Sequence, residues 1–143
     1  MRVRKNMTWA SNSGVTILEI LVVLAIIALL ASIVAPRVIG QLGKAKSQAA
    51  ALQIDNLAAA VQLFYIDIGR YPSDTEGLPA LFVAPTGAEG WSGPYLDTDA
   101  ALHDPWARDY IYSVGGSVAG FTIKSLGKDG ISGGTGEDQD LSS

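Results

Sequence analysis

A carboxylate stands inside an apolar run of membrane-spanning length. The run extends from Val15 to Ala35, and Glu19 lies near its start, five residues after Gly14. About 20 apolar residues are enough to cross a bilayer as a helix. An acidic side chain at the centre of such a helix costs roughly 2.5–3.5 kcal/mol on insertion scales. Charges kept inside membrane segments are usually functional and usually paired. Glu19 therefore predicts a helix that must lie in lipid or against other apolar helices, with a cation waiting for it.

Charge is distributed unevenly about this segment. Arg2, Arg4 and Lys5 precede it; seven basic and thirteen acidic residues follow it. The basic flank is expected to stay cytoplasmic and the acidic remainder to lie across the membrane. The formal net charge is −4, and no basic patch interrupts the acidic part, which argues against nucleic-acid binding. Cysteine is absent, excluding disulfides and thiol chemistry. A secretory signal peptide fits poorly, because the run is longer than an ordinary h-region and no small-x-small site closes it before Pro36.

Beyond the run, Pro36 removes a backbone donor and predicts a kink or local melting. From Lys44 to Ile68 a second helical pattern appears. Ala50, Ile54, Leu57, Val61, Phe64 and Ile68 recur at alternating steps of four and three, which places them on one face. Gly69 is the expected stop. From Arg70 to Trp106 the five prolines at 72, 79, 85, 94 and 105 exclude a long regular element, save a short helix within Thr75–Val83. Tyr71, Phe82, Trp91, Tyr95 and Trp106 predict an ordered loop region pinned by aromatics. Residues 110–114 and 121–126 read as two strands joined at Gly115-Gly116. The tail, Gly127 to Ser143, is glycine- and acid-rich.

Gly14-Val15-Thr16-Ile17-Leu18-Glu19 ahead of the apolar helix resembles the class III signal of type IV pilin-like proteins. The resemblance implies a prepilin peptidase that cuts after Gly14 and methylates the new N-terminus, Val15, where phenylalanine is usual. Met7 is an alternative start, which would give a leader without basic residues. Cleavage would create an ammonium group four residues from Glu19. Each charge is penalised by desolvation, so pairing between neighbouring subunits would satisfy both and fix their stagger. Later blocks resemble the G-type major pseudopilin of type II secretion. They are Arg70-Tyr71-Pro72-Ser73 with Glu76-Gly77-Leu78, Gly93-Pro94-Tyr95-Leu96, Asp104-Pro105-Trp106 with Tyr110, and Ser125-Leu126-Gly127-Lys128-Asp129-Gly130. Thr75 departs from the family's usual E-Q-G.

The tail is the candidate metal site. Calcium takes six to eight oxygens on a chain able to turn sharply, and Asp129, Glu137, Asp138 and Asp140 lie on a loop with Gly130, Gly133, Gly134 and Gly136. EF-hand spacing is missing. Read alone, such a tail is more often a solvated end. The resemblance implies a structural calcium held by the Leu126 carbonyl and the Asp129 carboxylate, with Asp140 and either Glu137 or Asp138 completing the set. His103, the single histidine, has no nucleophile partner and reads as a surface or loop hydrogen-bonding group. Asp104 before Pro105 reads as the start of a turn. Lys44 and Lys46 read as snorkelling to headgroups, with pairing to acids on a neighbouring subunit as the weaker alternative.

These readings imply an α+β fold: a long, kinked transmembrane helix packed on a small antiparallel sheet. The expected organisation is a leader at 1–14, an apolar assembly helix at 15–36 and a periplasmic domain at 37–143. The resemblance implies a non-enzymatic subunit of a homo-oligomeric periplasmic pseudopilus. It would lie in inner-membrane lipid before assembly on a platform driven by a cytoplasmic ATPase, together with minor pseudopilins, and would help move folded proteins through the outer-membrane secretin. Glu19 and Pro36 are its expected assembly residues. The rivals are the major pilin of a type IV pilus, many of which close with a disulfide impossible here, and a signal-anchored periplasmic enzyme, for which no catalytic constellation is found.

Overall fold

A computed structural model describes residues 15–143. The leader, including Gly14, lies outside the described residues. Contacts divide the chain between Val38 and Ile39.

The first unit contributes the N-terminal part of helix α1, Ile17–Ile68. Its apolar side chains are exposed from Ile17 to Val38. An 18-residue window reaches a mean hydropathy of 3.1, and none of that window is buried. Helix assignment continues without interruption past Pro36, so the melting expected there does not occur. The Ser32 hydroxyl donates to the Leu29 carbonyl at 2.7 Å.

The second unit is built on the remainder of α1. Ala50, Ile54, Leu57, Ala60, Val61 and Phe64 are buried, forming the stripe that the four-and-three spacing predicts, with Ala60 added. Ile68 is only partly covered. Each fully buried large side chain contributes about 1.5–3 kcal/mol. Gly69 ends the helix in a left-handed conformation (φ 79°), and its amide donates to the Tyr65 carbonyl at 2.8 Å. That is a glycine C-cap.

The proline-rich region is ordered, as its aromatics require. Its short helix is a 3-10 turn at Leu78–Leu81, and a second 3-10 turn, not foreseen, lies at Asp99–Leu102. Trp91 Nε1 donates to the Ala80 carbonyl at 3.0 Å. Tyr95 Oη donates to Asp67 Oδ2 at 2.7 Å, and the Ser92 hydroxyl donates to the same oxygen. The loop is thus anchored to the last turns of α1. The Gly93–Pro94 peptide is cis.

Strand β1 (Ile111–Val114) pairs antiparallel with β2 (Phe121–Ser125). Phe121, Ile123 and Ser125 face inward; Thr122 and Lys124 alternate to the outer face. Phe121 and Ile123 join the core laid down by α1, with Leu78, Leu81, Leu96 and Tyr110. A third strand, β3 (Leu141–Ser142), pairs antiparallel with β2 through Lys124↔Ser142 and Ser125↔Leu141. The glycine- and acid-rich tail gives no strand signal of its own. A two-residue strand has no period to read; its pairing depends on residues well separated along the chain.

Candidate functional site

Two places carry the residues singled out from the sequence. At the N-terminal one, Val15 is exposed and Glu19 lies in the first turn of α1. Thr16 caps that turn. Its carbonyl accepts the Ile20 amide at 3.2 Å, and its Oγ1 accepts the Glu19 amide at 3.2 Å. Thr16-Ile17-Leu18-Glu19 has the T-x-x-E spacing of a capping box, which is a local signal for this helix start. The helix dipole also favours a carboxylate at this end. Glu19 makes no ion pair among the described residues. In the uncut chain Val15 has an amide, so an ammonium partner there would require cleavage after Gly14.

The second place is the C-terminal loop, Leu126 to Asp140. Gly127 turns with φ 64°. A Cβ there would lie 2.8–2.9 Å from the backbone of Glu137, Asp138 and Gln139, so only glycine lets the two arms of the loop approach. Lys128 N donates to the Glu137 carbonyl at 2.9 Å and Asp140 N to the Gly133 carbonyl at 3.2 Å. Arg108 Nη1 donates to the Gly127 carbonyl at 2.6 Å, tying the loop to the segment before β1.

The acidic side chains have distinct tasks. Asp129 Oδ1 accepts the Ile131 amide at 3.0 Å. Glu137 accepts from Lys128 Nζ at 2.9 Å. Its side chain also lies on the buried Gly43 of α1, where a Cβ would come within 2.5 Å of Glu137 Cγ. The Asp138 carboxylate accepts no hydrogen bond among the described residues. Asp140 Oδ2 accepts from Lys124 Nζ at 2.7 Å, Gly133 N at 3.0 Å and Ser132 Oγ at 3.2 Å. Its Oδ1 is buried without a partner. The Lys124 ammonium, then the Gly133 amide, hold the Asp140 carboxyl below its ordinary range.

Among the described residues, three or more metal-binding side chains do not converge at one point. Asp129, Asp138 and Asp140 thus do not form a three-carboxylate cluster here. The donor chemistry still suits calcium: oxygen-only, with an orphaned Asp140 oxygen and an Asp138 carboxylate free of hydrogen bonds among the described residues. Glu137, engaged with Lys128 and Gly43, is the less available of the two residues left open. Lys124, which the sequence reading passed over, places a positive charge at Asp140.

Behind this loop stands a buried carboxylate. Asp104 Oδ1 accepts the Trp106 amide at 3.0 Å and the Arg108 amide at 2.9 Å. Asp104 Oδ2 accepts the Ser125 hydroxyl at 2.7 Å. The residue does begin a turn, as expected, and also fastens that turn to β2. His103 is exposed, its Nδ1 2.7 Å from Asp109 Oδ1.

A membrane-length apolar helix continuing into a small head with an antiparallel sheet defines a pilin-like subunit. Residues 9–35 match the prokaryotic N-terminal methylation motif, and residues 37–143 match the family described as type II secretion system (T2SS), protein G. The chain belongs to that protein G family. It is 37% identical over 132 residues to the type II secretion system core protein G of Xanthomonas campestris pv. campestris, covering 92% of this chain and 90% of the relative. It is also 37% identical over 134 residues to the protein of that name from Pseudomonas aeruginosa, covering 91% and 93%. The crystal structure of the major pseudopilin from the type 2 secretion system of enterohaemorrhagic Escherichia coli superposes with a TM-score of 0.59. The superposition has 28% identity and covers 73% of this chain and 90% of that one.

Proposed function

We propose that this chain is the major structural subunit of a type II secretion pseudopilus, a periplasmic filament assembled from the inner membrane that helps move folded proteins through the outer-membrane secretin. The observation that carries the reading is the exposed apolar surface of α1 from Ile17 to Val38, within a chain that matches the protein G family. A continuous apolar surface of this extent requires lipid or partner helices. Lipid covers it before assembly, and the helices of neighbouring copies cover it afterwards.

Prepilin peptidase cuts after Gly14 and methylates Val15, and the amine so formed on one subunit pairs with Glu19 of a neighbour. The head lies in the periplasm. Assembly uses an inner-membrane platform, a cytoplasmic ATPase and minor pseudopilins. The subunit contributes structure and catalyses no reaction. A calcium ion held by the Leu126 carbonyl, Asp129, Asp138 and Asp140 supplies positive charge to the closing loop; the orphaned Asp140 Oδ1 supports this.

Intact-mass measurement and N-terminal sequencing of the chain purified from membranes test the reading. The expected product begins at N-methylated Val15. A mature chain that retains Met1 and the leader would overturn it.

A further inference from the structure

Lys124 alternates to the outer face of β2, where an ammonium group would normally be solvated. Here the C-terminal loop folds over it. Its Nζ lies 2.7 Å from Asp140 Oδ2 and 3.4 Å from Ser132 Oγ, and the pair is partly shielded, with side-chain exposures of 32% and 19%. Lys124 pairs in the sheet with Ser142, so the same residue joins β3 through its backbone and the preceding carboxylate through its side chain. Four residues on, Lys128 holds Glu137 at 2.9 Å. The acidic segment 137–140 is thus neutralised at both ends by lysines. Lys128 is more than half exposed, so its pair contributes little; the Lys124 pair is the better shielded.

We propose that the Lys124 ammonium is an internal cation that latches the C-terminal loop closed without a divalent ion, and that a calcium ion entering the loop competes with it for Asp140. The second clause rests on the calcium reading above; the first does not. An ammonium and a divalent ion sharing one carboxylate repel each other. The loop therefore has two closed forms, one latched by lysine and one by metal, and Lys124 lowers calcium affinity while protecting the metal-free fold.

The full chain in detergent micelles tests this with Lys124→Met, which keeps the stem and removes the charge, and Lys124→Arg, which keeps the charge. Melting is followed by tryptophan fluorescence, loop closure by hydrogen exchange of residues 128–143, and binding by calcium titration. In chelator, Lys124→Met is expected to melt several degrees lower with faster exchange in the loop, and Lys124→Arg to stay near the parent. Calcium is expected to restore Lys124→Met and to bind it at least about tenfold more tightly than the parent. Equal melting and exchange for Lys124→Met and the parent in chelator would overturn the latch. Equal calcium affinity would overturn the competition. If none of the proteins binds calcium but Lys124→Met still loses its loop, the latch stands and the calcium reading falls.

Discussion

The Ser125 hydroxyl donates to Asp104 Oδ2 at 2.7 Å, with both residues buried, at 1% and 6% exposure. This bond joins the Asp104-Pro105-Trp106 turn to the strand that carries the C-terminal loop. The other Asp104 oxygen accepts two backbone amides. Asp104→Ala leaves all three donors without their acceptor and is expected to cost about 3 kcal/mol, with Ser125→Ala costing about 1–2 kcal/mol. Chemical denaturation in micelles measures both. A loss below about 1 kcal/mol for Asp104→Ala would mean that the turn is held by other contacts.

Gly43 and Glu137 make a packing prediction whose sign depends on background. A Cβ at position 43 would sit 2.5 Å from Glu137 Cγ and Cδ, so Gly43→Ala must push that side chain off the helix and loosen the loop. The expected loss is about 1 kcal/mol or more. In a Glu137→Ala background the obstructing atoms are gone, and the same change should stabilise by up to about 1 kcal/mol through helix propensity. A double-mutant cycle reads the coupling; additive effects would show that the side chains do not meet.

Stability should fall at both pH extremes for opposite reasons. Arg70 grips Glu76 with two hydrogen bonds of 2.6 and 2.8 Å. That guanidinium, assisted by the Ser73 amide, brings the Glu76 carboxyl down to about 2 from 4.5. The stabilisation is fully present above the unfolded value of 4.5 and disappears as pH falls towards 2. The pair is partly exposed, so the contribution is up to about 1 kcal/mol. Glu76→Gln should remove this part of the acid dependence. Tyr110 and Tyr112 behave inversely. Burial, foremost, pushes both phenols up to about 12 from 10. Their stabilisation is complete below 10 and is lost as pH rises through 12. Ultraviolet titration should show two of the five tyrosines ionising late; uniform ionisation near 10 would refute it.

Glu19→Ala is expected to leave leader cleavage largely intact and to impair filament formation, since the role proposed for the carboxylate is contact between subunits rather than the cut after Gly14. Immunoblotting separates precursor from mature chain, and sheared-filament recovery reads assembly. A normal filament yield from the variant would remove Glu19 from the assembly role. Thr16→Val provides a comparison, because it weakens the helix cap at 3.2 Å from the Glu19 amide and leaves the carboxylate in place.

The legible parts of this molecule are those written in a local period. The spacing of Ile54, Leu57, Val61 and Phe64 gave the buried face of α1, and Gly69 gave its end. The β1–β2 hairpin was visible because its strands flank a glycine turn. Thr16 is equally readable as a cap, through its spacing to Glu19. The C-terminal loop is legible as an acidic, glycine-rich segment, but the division of its carboxylates among separate partners is not. Asp129 bonds within its own turn, Glu137 turns to Lys128 and Gly43, and Asp140 meets Lys124.

The membrane-length helix, the acid near its start, the core-facing stripe and, through ordered motifs, the family are all readable from the order of residues. Each depends on residues within a few turns of one another or on short words of fixed order. Tertiary structure alone decided that the tail becomes a third strand, that Asp104 is a buried acceptor, and that Lys124 lies under the acidic loop. Those outcomes join residues 16 to 21 positions apart. Such partners are selected by the competition of the whole chain for burial and hydrogen bonds, which no local pattern records.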